Sequence, residues 1–173
     1  MKITYSIASQ NHSFYNLKEI KNYLRISHKH DDELLKNLLK SAIDYAEQIL
    51  SNKISEHEVL AEIKLTTKNI KLKYGKINHI SSVTLFDELG SRDISNDFGS
   101  LNNHRNQLIL NNQYIEKNLR IKYMVGYTPG NIPQNIRHGL LTHVAKMYEQ
   151  SEHVGLVNDQ IKSIYTPHRT IKI

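Results

Sequence analysis

From Leu34 to Leu50 the apolar residues Leu34, Leu35, Leu38, Leu39, Ala42, Ile43, Ala46, Ile49 and Leu50 recur at steps of three and four. Lys36, Lys40, Asp44 and Glu47 fall on the opposite side. That period is helical, and it predicts a long amphipathic helix. The stripe is wide, and each buried Leu or Ile contributes ~1.5–3 kcal/mol before chain entropy is subtracted. Such a helix must lie against something large: an earlier helix, a later one or a neighbouring subunit. Asp31, Asp32 and Glu33 put negative charge where the helix exposes its unpaired N–H groups, after a polar turn from His28 to Asp32.

A shorter helix precedes it. Asn16 can cap, Glu19 completes a capping-box-like pair, and Leu17, Ile20 and Leu24 form one stripe before Arg25 and Ile26 lead out. The middle of the chain changes period: Ile70, Leu72 and Tyr74 alternate with Lys71 and Lys73, and Val83 and Leu85 alternate with Thr84 and Phe86. Both patterns are those of strands, as are Gln107 to Leu110 and Leu119 to Val125. Glu88 to Ser91 reads as a hairpin turn and Ser95 to Arg105, polar and containing Gly99, as a loop. Gly126 to Pro133 breaks the sheet, and Pro133 starts a third helix running to about Ser151. Its expected buried stripe is Ile136, Leu140, Val144, Met147 and Tyr148, and Gly139 within it implies close backbone approach. The segment 152–173 reads as a tail.

The resulting expectation is an α+β fold in which two N-terminal helices and a C-terminal helix form the helical part and the middle forms a small antiparallel β-sheet. One domain over 1–173 is expected, with helices at about 16–51 and 133–151 and a β insertion at about 57–126. Without cysteine the chain has no disulfides, thiolate metal sites or cysteine nucleophiles. Met1 to Gln10 lacks the apolar run of a signal peptide and no window approaches a membrane span, so no membrane partner is expected. The net charge of +6 favours anionic partners without naming one.

His28, His30, Asp31 and Asp32 form the one cluster of metal-capable side chains, but turn spacing without a second ligand motif favours acids at a helix N-terminus beside solvated histidines. His143 falls near the apolar face of the third helix, where a hydrogen-bonded core or interface role is the favoured reading. No Gly-rich phosphate loop, nucleophile elbow or HExxH occurs, so no enzyme, cofactor or catalytic residue is expected. Lys71 and Lys73, with Arg120 and Lys122, would merge into one DNA-facing surface if their strands pair; otherwise they are the solvated side of a sheet.

Two segments carry a resemblance. Leu17-Lys18-Glu19-Ile20-Lys21-Asn22-Tyr23-Leu24-Arg25-Ile26, followed by Asp31-Asp32 and a helix containing Ala42, Ala46 and Glu47, resembles the opening of the phage head-tail connector family. Tyr123-Met124-Val125-Gly126-Tyr127, Ile132-Pro133, Ile136-Arg137, Leu140-Leu141, Val144-Ala145 and Tyr148-Glu149 resemble that family's strand, Gly-Tyr turn and Pro-started helix. Tyr165-Thr166-Pro167-His168-Arg169 resembles its closing element, and the β insertion resembles the longer branch of the family.

The resemblance implies a structural subunit that joins head to tail: a homo-oligomeric ring, expected to be dodecameric, that docks on the portal protein after DNA packaging and receives the next neck or tail-completion protein. It implies assembly in the host bacterial cytoplasm and residence in the virion neck, with non-specific contact to passing DNA at most. Leu17, Leu24, Arg25, Leu38, Gly126, Pro133, Arg137 and Tyr148 are the expected shapers of fold and interface. The rival readings are a small basic nucleic-acid-binding module, which predicts DNA affinity that falls steeply with salt, and a small hydrolase with a spatially assembled site, which predicts a deep polar pocket.

Overall fold

Glu58, Leu60 and Glu62 alternate with Val59, Ala61 and Ile63, and this period of two predicts a strand with one buried side. In the computed structural model, which describes residues 3–10, 17–87, 90–102, 106–128, 130–149 and 159–169, the segment is β2 (His57–Lys64), with its odd-numbered residues buried. Two compact units emerge, one formed by residues 1–11 with 55–127, the other by 12–54 with 128–173.

The β unit contains β1 (Ile3–Gln10), β2, β3 (Asn69–Lys71), β4 (Ile77–Asp87), β5 (Gly90–Asp93), β6 (Gly99–Asn102), β7 (Gln107–Leu110) and β8 (Asn118–Val125). They form a five-stranded sheet in the order β1-β2-β8-β4-β5 and a three-stranded sheet in the order β3-β7-β6, antiparallel throughout. Register sets Val59 opposite Tyr123 and Ala61 opposite Ile121, so the inward rows coincide. Val59, Ala61, Leu119, Ile121 and Tyr123 of the larger sheet share one core with Ile70, Leu108 and Leu110 of the smaller. Two register shifts in β4 bend it along β8.

The helical unit contains α1 (Leu17–Leu24), α2 (Asp32–Leu50), α3 (Gln134–Glu149) and α4 (Asp159–Tyr165). Leu35, Ala42, Ile43, Ala46 and Leu50 of α2 are buried, and α2 packs against α1, α3 and α4. Its wide stripe is thus covered largely by helices of the same chain. Leu34, at the edge of the stripe, is 45% exposed, and Leu38 and Leu39 are half-buried. No helix of the described residues is long and apolar enough to cross a membrane.

Several elements differ from the sequence reading. The middle of the chain forms two sheets, and the opening segment joins the larger one as β1, a strand stabilised by pairing with β2. Within the expected loop 95–105 lies β6, where Gly99 at φ +131° lets the backbone approach β7; a Cβ there would stand 2.1 Å from the Ile109 carbonyl oxygen. The expected tail 152–173 carries α4, whose Ile161 and Tyr165 are buried. So short a helix draws its stability from packing, which local sequence does not display. Asn16 and the tip of the β4–β5 hairpin lie outside the described residues, although Asp87 and Gly90 pair as that turn requires.

Candidate functional site

In the helical unit the candidate residues meet across helices. Arg137 of α3 grips Glu19 of α1 through two charge-assisted hydrogen bonds, Nε to Oε1 at 2.7 Å and Nη2 to Oε2 at 2.6 Å. Tyr148, one helical stretch further along α3, donates its hydroxyl to Asp31 Oδ2 at 2.6 Å, just before α2 begins, and that bond raises the phenol's pKa. Lys21 pairs with Asp32 at 2.7 Å and also donates to the His28 carbonyl. Tyr23 and Thr142 add a 3.3 Å hydroxyl contact between α1 and α3. The effect is a set of polar latches that fixes three helices in one register.

Arg25 ends α1. It takes the left-handed conformation at φ +58°, its N–H donates to the Asn22 carbonyl, and the Ile26 N–H donates to Lys21 at 2.9 Å, the bond pattern of a Schellman motif. Leu17 and Leu24 are half-buried on the same helix, and Pro133 precedes α3 with its carbonyl accepting the Arg137 N–H at 3.0 Å. Gly126, in the β unit, sits at φ +95° with its missing Cβ 2.0 Å from the Ser55 carbonyl oxygen, so only glycine fits. Gly139 faces Ile164 and Tyr165 of α4, the close approach its position in the stripe implied.

Glu47 was expected on the solvated side of α2 and is instead buried. Its carboxylate accepts from Lys53 Nζ at 2.6 Å and from the Ile54 N–H at 2.8 Å, closing the chain after the left-handed Ser51. Glu19 and Asp31 were likewise read as helix-start acids, whereas their partners come from α3, more than 100 residues away in sequence. No short-range signal could have found these pairs.

The histidine cluster is engaged locally. His28 Nε2 lies 3.7 Å from Asp31 Oδ2, and its ring is tilted against that of His30 at 5.8 Å. Among the described residues no three potential ligands converge on a metal position. His143 is 2% exposed between Tyr45 (centroids 5.3 Å apart) and Tyr165 (6.4 Å), and neither ring nitrogen has a hydrogen-bond partner among the described residues. Burial lowers its pKa. It is a core residue, and among the described residues it lacks the hydrogen bond of the core-or-interface role read from the sequence.

The four basic strand residues do not merge through strand pairing, because β3 pairs with β7 and β8 with β2 and β4. Arg120 binds Glu62 on the neighbouring strand at 2.7 and 2.8 Å and lies 5.2 Å over the Phe86 ring. Lys122 is exposed, with Leu60 and Ser82 opposite it. Lys71, at the end of β3, and Lys73 are exposed. An open groove of about 540 Å³ near Phe86, Arg92, Glu116 and Lys117 holds neither a histidine nor a carboxylate pair.

Helices latched by side-chain pairs, with an antiparallel β unit inserted between the second and third, define an α+β fold. Chains of this fold occur in the neck of the empty gene transfer agent (GTA) particle computed with C6 symmetry, with TM-score 0.77, 14% identity and coverage of 100% of this chain and 97% of that one. The virion of the native GTA particle gives 0.75, 13%, 98% and 96%, and the neck of the native particle computed with C12 symmetry gives 0.74, 14%, 100% and 97%. At these identities the likeness is one of fold. The model of the phage gp6-like head-tail connector protein family matches residues 15–98. No curated protein matches it.

Proposed function

We propose that the protein is a structural, non-catalytic subunit of a head-tail connector ring that docks on the portal after DNA packaging and joins head to tail. The observation that carries this reading is the fold likeness over the whole chain to neck proteins, together with the family match over α1, α2 and the first strands. Neighbours in necks with C6 and C12 symmetry support a closed ring, and we take twelve copies as its size. In this reading the two units act as one connector domain, assembled in the host cytoplasm and retained in the virion neck.

The partly exposed residues of the helical unit, Leu17, Leu24, Leu34 and Leu38, supply apolar surface for neighbouring copies. Arg25, Gly126, Pro133, Arg137 and Tyr148 act by holding the shape that presents it. A ring needs such a heterologous, head-to-tail contact from every subunit. The test is solution mass by light scattering across a concentration series, with and without purified portal protein. A closed oligomer, or one that forms only on the portal, is expected. A chain that stays monomeric at every concentration and ignores the portal sinks the proposal. Leu38→Asp, with thermal stability measured in parallel, should abolish folding or assembly; unchanged stability and mass would remove Leu38 from the interface.

A further inference from the structure

Between residues 68 and 76 the β unit carries Lys68, Lys71, Lys73 and Lys76, all exposed, while Ile70 and Leu72 between them are buried. The stretch ends in two consecutive left-handed residues, Tyr74 at φ +73° and Gly75 at φ +84°, the φ signature of a type I′ turn. An aromatic residue in that region is an outlier, and such conformations persist where the surroundings over-determine them. The surroundings here are tyrosines. Tyr5 packs edge-to-face on Tyr74 at 6.0 Å, and the Tyr123 hydroxyl donates to the Lys73 carbonyl at 3.3 Å.

Tyrosine rings also position two of the ammonium groups. Lys73 Nζ stands 4.7 Å over the Tyr5 ring and Lys76 Nζ 5.3 Å over the Tyr127 ring. A cation over an aromatic face is steered without being neutralised, since the ring carries no net charge. Burial raises the phenol pKa of Tyr5 to about 12 and shifts Tyr123 and Tyr127 upward too, so these rings stay uncharged. Lys68, Lys73 and Lys76 make no ion pair with any described residue, in contrast to Arg120, which is taken by Glu62.

We propose that this lysine turn, and not the β8 face, is a contact site for the sugar-phosphate backbone of duplex DNA, with Lys68, Lys73 and Lys76 as phosphate ligands. Lysine is a compact point charge without the planar fork that reads base edges, so the contact is sequence-blind. The tyrosine rings are covered by lysines or by one another, which leaves no stacking platform for unpaired bases. The inference rests on the connector reading for where DNA meets the protein, but the affinity itself does not.

Fluorescence anisotropy with a short labelled duplex tests it on the full chain. Three phosphate contacts should make wild-type affinity fall roughly 40-fold as salt rises from about 50 to about 200 mM. Combining Lys68→Gln, Lys73→Gln and Lys76→Gln should cost about tenfold or more at the lower salt and flatten that dependence, while the three Lys→Arg changes retain it. Arg120→Gln with Lys122→Gln should change affinity less than about twofold, Arg120 being engaged already. Thermal unfolding of each variant checks that the exposed substitutions leave the fold intact. Wild-type binding by the triple glutamine variant overturns the proposal, as does displacement of DNA by polyglutamate at equal charge, which would mark an acidic protein as the partner. Loss of DNA binding with normal assembly on the portal supports the site. Absence of DNA binding in a wild-type chain that still assembles refutes it and leaves the connector reading standing.

Discussion

In the β unit the ionic side chains stand on outward rows, as Arg120 and Glu62 do, and the core between the sheets is apolar apart from its tyrosines. In the helical unit they cross between elements: Glu19 to Arg137, Asp31 to Tyr148, Lys21 to Asp32. The buried histidines repeat the contrast. His57 of the β unit bonds the Ser55 carbonyl at 2.7 Å, whereas His143 of the helical unit has both ring nitrogens unpaired among the described residues. A ladder of backbone hydrogen bonds fixes strand register by itself, so side chains can be spent on packing. Helices have no such ladder between them, and polar pairs at defined positions choose one alignment among several that would bury similar area.

The strongest way to break this comparison is at the glycines. Gly126→Ala sets a Cβ against backbone at a left-handed position and should destabilise the protein by about 3 kcal/mol or more, read by denaturant unfolding. Gly139→Ala meets side-chain ends of α4 at 2.7 and 3.0 Å, which can give, and it gains about 1 kcal/mol of helix propensity; its net cost should stay below about 2 kcal/mol. Equal costs would mean that α4 packs as rigidly as a sheet.

Next comes Arg137→Ala, which leaves Glu19 without its bidentate partner. Both side chains are about a third exposed, so solvent screening limits the loss to roughly 1 kcal/mol. A double-mutant cycle with Glu19→Ala should return most of that as coupling energy, and zero coupling would remove the latch from the account. Arg25→Gly acts in the opposite direction: relief of the left-handed arginine should stabilise by up to about 1 kcal/mol, seen as a higher melting temperature.

His143 sharpens the contrast through pH. Its folded pKa lies below the ordinary value, so between the two the unfolded chain binds more protons and stability rises with pH. The contribution is complete above about 6.5 and is lost as pH falls from there through the folded pKa. Unfolding measured from pH 7 to pH 5 should show this decline, and His143→Leu should flatten it; an unchanged slope would assign the acid sensitivity elsewhere.

Much of this was readable in the chain. The period of three and four pointed to α2, the period of two to β4 and β8, and Gly139 within an apolar stripe announced a tight helix contact, because side-chain direction repeats with backbone geometry. Arg25, Arg137 and Tyr148 stood in the segments that carry the resemblance, but what they touch was not legible there. Glu19 and Arg137 are separated by 118 residues, and nothing local distinguishes an acid that starts a helix from one that locks a distant arginine. Glu47 lay on the polar side of the helical wheel and was buried by the loop that folds back over it. The sequence by itself determined the elements and their apolar sides, since these follow from periodicity and turn chemistry. Only the tertiary structure decided the partners and the place of β1 and α4, because each depends on segments that meet only when distant parts of the chain are packed together.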